Sequence, residues 1–178
     1  MKTYFQKFKG TAPPPPRSGN AEVLWAVLGS AIALFLIGVL DKVCLKTAGV
    51  PLLMAPFGAS AALVFGAPKS PLTQPRNVIG GHVVSALVGI TVYKLTGGHE
   101  IAGICLAVSL AIGLMLLTGT LHPPGGATAF LAVAGGESIH SLGYWFVVSP
   151  CMTGSFLMVA VALVVLNIPS RQRYPFFW

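Results

Sequence analysis

Charged side chains are scarce in this sequence, at 8% of 178 residues, and only four residues are acidic. A typical soluble domain has about a quarter charged residues, so this chain has too few to cover a water-facing surface. Apolar residues make up 54% instead. The composition therefore predicts one integral membrane domain surrounded by lipid bilayer. It argues against a soluble enzyme, a disordered regulator and a nucleic-acid binder.

The sequence also lacks the patterns that most metal and catalytic sites need. Cys44, Cys105 and Cys151 lie far apart without a CxxC pair, so they predict neither a disulfide framework nor a zinc site. No HExxH motif accompanies the histidines, and no GxSxG motif is present. We therefore expect no enzymatic activity, no metal and no cofactor.

Uncharged stretches define six apolar segments, at 23–40, 50–67, 77–94, 101–118, 121–136 and 142–166. Crossing a bilayer takes about 20 apolar residues. Segments two and five are short, and prolines interrupt them: Pro51 and Pro56 in one, Pro123 and Pro124 in the other. Non-helical backbone at membrane depth must be buried in protein or line a wet cavity. Both interruptions are therefore candidate site elements near the midplane.

The distribution of basic residues favours six crossings over four. If all six segments cross, eight bases share one side of the membrane and three share the other. If the two short segments only dip in and return, the ratio falls to seven against four. The eight are Lys2, Lys7, Lys9, Arg17, Lys69, Arg76, Arg171 and Arg173, and the three are Lys42, Lys46 and Lys94. The positive-inside rule then places both ends of the chain in the cytoplasm.

Both interrupted segments contain the same short motif. Residues 56–61 read PFGASA and residues 124–129 read PGGATA, 68 positions later. A long segment precedes and follows each copy, which divides the chain into halves at 21–95 and 100–167. Because three crossings is an odd number, the second half would be inverted relative to the first. Such inverted repeats with unwound helices occur in many transporters, although six small residues also match by chance.

These patterns predict an all-α transmembrane fold built from two inverted three-segment repeats. The membrane domain would cover residues 21–168. A flexible, extended, basic and proline-rich arm would precede it at 1–20, and a short basic and aromatic tail would follow at 169–178, with its rings at headgroup level. Stripes of small residues at 58, 62 and 66 and at 81, 85 and 89 predict close helix packing.

The repeated motif also predicts the start of a helix that could bind an anion. The first backbone N–H groups of a helix have no partner within it, and the helix dipole adds partial positive charge there. The hydroxyls of Ser60 and Thr128 would fall in the first turns. The candidate anion-binding residues are Gly58, Ala59 and Ser60 in one copy and Gly125, Gly126, Ala127 and Thr128 in the other.

Four further polar residues are candidates for this site. His82 lies inside the third segment, where an ionisable group is either functional or holds helices together. His122 directly precedes the second interruption and either joins the site or caps the loop. Arg76 and Asn77 open the third segment and would line the cytoplasmic approach to the site. Arg76 is either a headgroup anchor or a guide that draws anions in at the cytoplasmic mouth.

The residues HPPGGATA at 122–129, together with PFGASA at 56–61 and QPRNVIGGH at 74–82, resemble the HPP family of integral membrane proteins. The resemblance covers about residues 20–168. Members are usually described as having four spans, and plant and cyanobacterial members are associated with nitrite transport. The absence of a plant-type transit peptide favours a bacterial inner membrane.

The resemblance and the candidate site together predict a carrier or channel for a small monovalent anion, most plausibly nitrite. The alternative is a membrane assembly or sensor partner that transports nothing, in which the interrupted helices only form a packing interface. A homo-oligomer is compatible with so slim a bundle, but no residue requires one.

Overall fold

A computed structural model describes residues 2–44, 52–97, 100–169 and 173–178. Within these residues the chain is helical and contains no strand, which confirms the all-α prediction. A 3₁₀ turn at Pro71–Thr73 precedes α4, and a π-helical stretch at Val147–Met152 leads into α8. The helices are α1 (Lys2–Gln6), α2 (Asn20–Cys44), α3 (Ala55–Gly66), α4 (Pro75–Thr96), α5 (Glu100–Thr118), α6 (Pro123–Ala134), α7 (Glu137–His140) and α8 (Thr153–Val165).

Four helices of the described chain are long and apolar enough to cross a membrane, at Asn20–Val43, Pro75–Thr96, Ile101–Thr118 and Val147–Val165. The chain is therefore a membrane protein. Helices α3 and α6 have 12 residues each, about 18 Å. Length alone thus agrees with the four-span description of the HPP family and does not confirm six crossings.

Proline and glycine set the boundaries of the central helices. Proline stands at the first or second position of α3, α4 and α6, where its missing N–H group does no harm. Helix α4 ends at Gly97 in the left-handed conformation, with φ of 60°. Gly119 has φ of 66° and lies in the tight turn that joins α5 to α6. These residues make α5 and α6 a helical hairpin.

The α5–α6 hairpin packs on α4 without room for extra atoms. A Cβ atom at Gly89 would lie 2.5 Å from the Cβ of Ala132, and one at Gly81 would lie 2.5 Å from the Cβ of His122. The small-residue stripe of α4 therefore packs as predicted. The other predicted stripe does not, because Gly58, Ala62 and Gly66 are exposed on α3. That expectation was wrong for the contacts seen here.

One end of the bundle, which we call the Arg76 end, collects four chain segments. The Arg76 guanidinium donates a hydrogen bond to the carbonyl of Thr118, at 2.7 Å. The Tyr174 hydroxyl donates to the carbonyl of Thr73, at 2.8 Å. The loop at 66–70 lines a cleft together with residues 18–27 at the start of α2.

The opposite end, which we call the Tyr93 end, collects the remaining connections. The Tyr93 ring stacks on His140 with a centroid separation of 3.6 Å. The hydroxyl groups of Thr91 and Tyr144 are 3.1 Å apart. Asp41, near the end of α2, accepts a hydrogen bond from the backbone N–H of Leu52, at 2.9 Å. Successive apolar segments thus alternate in direction along the bundle.

The two chain ends differ from their predicted forms. The N-terminal arm was expected to be extended, but Lys2–Gln6 form a five-residue helix ahead of the proline run. Tyr174 was expected at headgroup level, but it is 2% exposed and lies against the protein. Its burial follows from two partners, because Asn167 bonds to its backbone and Thr73 accepts from its hydroxyl.

Candidate functional site

Two histidines and two hydroxyls from three different helices meet inside the bundle. His82 of α4 and His122, directly before α6, are fully buried and their ring centroids are 5.2 Å apart. Ser60 of α3 lies between them, with its Oγ 2.8 Å from His82 Nε2 and 2.9 Å from His122 Nε2. We call Ser60, His82, His122 and Thr128 the polar cluster.

The outer atoms of both imidazoles also have partners. His82 Nδ1 lies 2.7 Å from the hydroxyl of Thr128 in α6. His122 Nδ1 lies 2.8 Å from the backbone carbonyl of Leu72, in the 3₁₀ turn before α4. All four ring nitrogens are therefore within hydrogen-bonding distance of a polar atom.

Helix geometry explains why these side chains meet. His82 is seven residues into α4, about 10 Å from its start. Ser60 and Thr128 are each the sixth residue of their helix, α3 and α6, so both are buried in the second turn and not in the first turn that the sequence predicted. Helix α3 runs antiparallel to α4, and α6 runs parallel to it. The N-terminal parts of α3 and α6 therefore lie side by side at the depth of His82.

The helix starts themselves offer fewer backbone donors than the sequence suggested. The first two positions of α6 are Pro123 and Pro124, which have no N–H, and the N–H of Gly125 bonds to the carbonyl of His122 at 2.8 Å. In α3 the N–H of Phe57 bonds to the carbonyl of Met54 at 2.9 Å. An anion bound by backbone donors alone would find few of them free here.

The remaining residues of the two motifs lie outside the polar cluster. Gly58, Ala59 and Ala127 are exposed, and Gly126 is half-buried. Gly125 is buried against α4, where a Cβ atom would lie 2.7 Å from Ser85 Oγ. The structure thus brings together four polar members of the predicted site, the two hydroxyls and the two histidines, and places the small residues on other faces.

Arg76 and Asn77 hold the turn before α6. Arg76 is exposed and bonds to Thr118, as described above, while Asn77 is 6% exposed and its Nδ2 donates to the carbonyl of Leu121 at 3.0 Å. The Oδ1 of Asn77 is buried and has no hydrogen-bond partner among the described residues. Both residues therefore position the backbone that carries His122.

Sequence reasoning missed the residues that support the cluster from the Arg76 end. Leu72 contributes a backbone carbonyl, which no side-chain pattern reveals. Gln74 is buried, donates to the carbonyls of Pro68 and Ser70, and accepts from the N–H of Phe176 at 2.8 Å. Burial raises the pKa of the Tyr174 hydroxyl, which bonds to Thr73 beside Leu72. The Gln-Pro pair directly before the third segment was the sequence feature from which a role for Gln74 could have been predicted.

The cleft at the Arg76 end has a volume of about 400 Å³ and is lined mainly by apolar atoms of α2, the end of α3 and the loop that follows. Its lining includes Glu22, Phe65 and Lys69 but no member of the polar cluster. Within the described residues, no group of three or more His, Cys, Asp or Glu side chains could hold a metal ion.

Comparison with known proteins identifies the family. The family profile described as HPP, transmembrane region, matches residues 15–175. The chain belongs to the HPP family. The match extends beyond the 20–168 expected from the motifs, and it includes the buried Tyr174 of the HPP domain.

Two relatives of this HPP domain come from Dictyostelium discoideum, and both are described only as transmembrane proteins. One is 40% identical over 178 residues, which cover 98% of this chain and 57% of the relative. The other is 39% identical over 181 residues, covering 98% and 63%. The chain thus spans about three fifths of the length of these relatives. No solved structure matches it.

Proposed function

We propose that this HPP domain transports a small monovalent anion across the membrane and that the polar cluster is its site. One observation supports the proposal most directly: hydroxyls from the second turns of both interrupted helices meet at two buried histidines. Ionisable side chains inside membrane proteins are costly and usually serve transport or proton relay. Nitrite is the first anion to test, because the family resemblance implied it.

The contacts between helices support the inverted repeat on which the proposal draws. Helix α2 packs on α3 and α8, and its counterpart α5 packs on α6 and α4. Gly29 of α2 meets Phe65 of α3, just as Gly103 of α5 meets Val133 of α6, and residues 65 and 133 are 68 positions apart. Gly29 and Gly103 are 74 positions apart, so the offset of 68 applies to the residues of α3 and α6 in these contacts and not to those of α2 and α5. The similar pairing of helices in the two halves supports an inverted repeat.

The alternation of segment directions supports six crossings within that repeat. The start of α2, the loop at 66–74, the α5–α6 turn and residue 174 gather at the Arg76 end. Six crossings place both chain ends on one side, and the excess of basic residues assigns that side to the cytoplasm. Both relatives come from Dictyostelium discoideum and not from a bacterium, so the bacterial inner membrane stays a prediction.

The chemistry of the cluster fits an anion bound moderately by neutral donors. The sequences of α3 and α6 contain no Asp, Glu, Lys or Arg. Imidazole N–H and hydroxyl groups can donate to an anion without holding it as tightly as a lysine would. Arg76 is exposed at one end of the bundle, where its charge attracts anions toward the domain. The two prolines of α6 shift the donor role from backbone to side chains.

A specific observation also favours the alternative of a partner that transports nothing. The polar cluster atoms bond to one another, and Gly81, Gly89 and Gly125 pack without room for a methyl group. A dry interface that only fixes helix positions would look the same. The two functions differ in whether the purified domain moves anions.

Flux into liposomes that contain the purified chain tests the proposal. Radiolabelled or dye-reported nitrite uptake should exceed that of protein-free liposomes, with nitrate and formate measured alongside. His122→Ala combined with Ser60→Ala should abolish the excess, and Ser85→Ala should keep it, because Ser85 is buried on α4 outside the cluster. No excess for any of the three anions would favour the partner function, and uptake unchanged by the double substitution would remove the cluster from the site.

A further inference from the structure

The carbonyl of Leu72 fixes the position of one hydrogen in the polar cluster. A carbonyl oxygen only accepts, so the 2.8 Å contact requires a hydrogen on His122 Nδ1. A neutral His122 then has a bare Nε2, which must accept from its neighbour. That neighbour is the hydroxyl of Ser60, at 2.9 Å.

The remaining hydrogens follow from this one. Ser60 has a single hydroxyl hydrogen, which it gives to His122, so its contact with His82 Nε2 requires the hydrogen to be on His82. A neutral His82 then accepts at Nδ1 from the hydroxyl of Thr128. Four short contacts thus use the four available hydrogens in one direction, from Thr128 through His82, Ser60 and His122 to Leu72.

The opposite direction is excluded when both histidines are neutral. It would put a bare His122 Nδ1 against the Leu72 carbonyl, so that two acceptors would face each other at 2.8 Å. With hydrogens on both Nδ1 atoms, Ser60 would have to supply two hydrogens, one to each Nε2. With hydrogens on both Nε2 atoms, Ser60 could donate its own to the carbonyl of Pro56 at 3.2 Å, but His122 Nδ1 would again face the Leu72 carbonyl without a hydrogen. The chain of hydrogen bonds therefore has a fixed polarity, set by one backbone carbonyl.

We propose that the polar cluster is a proton relay that loads one proton onto His122. A proton from hydronium, which leaves as water, or from the protonated form of the transported anion, which leaves as the free anion, forms a bond to His82 Nδ1. The hydrogen on His82 Nε2 passes to Ser60 Oγ, and the hydroxyl hydrogen of Ser60 passes to His122 Nε2. His82 and Ser60 each gain one hydrogen and lose another, and His122 alone gains one without losing any. The positive charge therefore rests on His122, and His82 stays neutral with its hydrogen on Nδ1.

The loaded arrangement is also free of unpartnered hydrogens. His122 donates to Leu72 and to Ser60, Ser60 donates to His82 Nε2, and His82 Nδ1 donates to Thr128. The hydroxyl of Thr128, which no longer donates to His82, can donate to the carbonyl of Pro124, whose oxygen lies 3.4 Å from Thr128 Oγ1. The fifth hydrogen thus has an acceptor already in place, and both states of the relay satisfy their polar atoms.

The surroundings limit the cluster to one proton. Each imidazole faces the other at a centroid distance of 5.2 Å, so two positive charges would repel strongly in this buried position. No charged residue occurs in α3, α6 or α8, and the 66–74 loop contributes Lys69, which is exposed. The charged residues of α4 are Arg76 and Lys94, both exposed, and Tyr174 bonds to Thr73.

The inference rests on the proposed function for its biological meaning, since it makes the proton the coupling ion of anion transport. A positively charged His122 within the polar cluster would pair with one monovalent anion. The relay itself can be measured without transport, so the two proposals can fail separately.

Nitrogen NMR of ¹⁵N-histidine-labelled full chain in lipid nanodiscs tests the relay directly, because chemical shifts separate the two neutral tautomers from imidazolium. His99→Gln and His140→Gln leave only the cluster signals for assignment. At about pH 9 we expect His122 with hydrogen on Nδ1 and His82 with hydrogen on Nε2. On acidification His122 should become imidazolium while the hydrogen of His82 moves to Nδ1. A His82 that itself becomes imidazolium, or keeps its tautomer as His122 charges, would overturn the relay.

Ser60→Ala removes the link between the rings and should uncouple the tautomer of His82 from the charge of His122, whereas Ser85→Ala should preserve the coupling. If Ser60→Ala does not fold, the wild-type tautomer measurement still decides. In liposomes with an internal pH dye, nitrite entry should bring in about one proton per anion. Nitrite flux without acidification of the liposome interior would overturn the relay and leave the transport proposal standing. A tautomer switch in a chain that moves no anion would overturn the transport proposal and leave the relay standing.

Discussion

The two interrupted helices occupy matching places in the chain but are held in different ways. Phe57 in α3 and Gly125 in α6 are 68 residues apart and stand at the same motif position. A Cβ at Gly154 of α8 would lie 2.3 Å from the Phe57 ring, so a large side chain fills that contact. Gly125 instead lets α6 approach Ser85 of α4 directly. At the same motif position, α3 therefore places a large side chain against a glycine, whereas α6 places a glycine against a small side chain.

The two helices also differ in which end is fixed by hydrogen bonds. Helix α6 is held at its start, where Asn77 bonds to Leu121. Helix α3 is held after its end, where Gln74 and Tyr174 fix the loop that follows. Because the helices run in opposite directions, both sets of bonds lie at the Arg76 end. This end therefore positions the polar cluster from both halves of the chain.

The hydroxyls of the two helices should differ most in their effect on flux. Ser60 contacts both histidines and Thr128 contacts one, so Ser60→Ala should lower nitrite flux about tenfold or more and Thr128→Val about threefold. The measurement is initial uptake in liposomes at equal protein content, with Ser85→Ala as the buried control. Equal losses for both substitutions would show that the central position of Ser60 has no special role.

The glycines of the two motifs should differ in stability. Gly125→Ala brings a Cβ to 2.9 Å from the Gly81 carbonyl, so we expect a loss of about 1–3 kcal/mol in unfolding free energy. Gly58→Ala meets nothing within 4 Å and should stay within about 0.5 kcal/mol of the wild type. Titration of mixed micelles with a denaturing detergent measures both. A destabilised Gly58→Ala would mean that the exposed face of α3 packs on something in the assembled protein.

Asn77→Ala should loosen the start of α6. It removes the bond to the carbonyl of the half-buried Leu121, which costs about 1–2 kcal/mol and is partly offset by loss of the unpartnered Oδ1. Arg76→Ala, at an exposed position, should cost less. Hydrogen exchange of the α5–α6 turn should rise in Asn77→Ala, while the loop at 67–74 should keep its protection. Equal exchange in both regions would contradict separate anchoring of the two helices.

Tyr174→Phe should loosen the loop after α3 by removing one hydrogen bond while keeping the ring, at a cost of about 1 kcal/mol. Burial raises the pKa of Tyr174, so the folded chain disfavours the phenolate. Its contribution is therefore complete below the ordinary tyrosine pKa of about 10 and declines as pH rises above that value. Tyr174→Phe should remove this alkaline decline in unfolding experiments. If the unfolding free energy of Tyr174→Phe still declined at alkaline pH as in the wild type, Tyr174 would not be the cause of the decline.

Much of the fold could be predicted because charge and proline mark membrane segments directly. The predicted segments at 77–94 and 101–118 fall within two residues of α4 and α5. Segment two was placed at 50–67. Residues 50 and 51 lie outside the described residues, and the regular helix begins at Ala55, with Pro56 at its second position. The last segment was placed at 142–166, and Pro150 interrupts its first part, so that α8 starts at Thr153.

The candidate site was predictable in its side chains but not in its backbone. Ser60, His82, His122 and Thr128 stood out because polar residues are rare in apolar segments. Leu72 could not be found this way, since its carbonyl matters and its side chain does not. The lack of backbone N–H donors at the start of α6 could have been predicted from Pro123 and Pro124, because proline has no N–H group.

The polar cluster also fixes the axial position and the rotation of three helices relative to one another. A slide of α3 by one residue would move Ser60 about 1.5 Å along the axis and turn it by about 100°, away from both rings. Apolar faces of Ala, Val and Leu tolerate such slips far better, since one methyl group replaces another. The bonds of Ser60 and Thr128 to His82 therefore give α3, α4 and α6 a single register within the bundle, which their apolar residues alone would leave loosely defined.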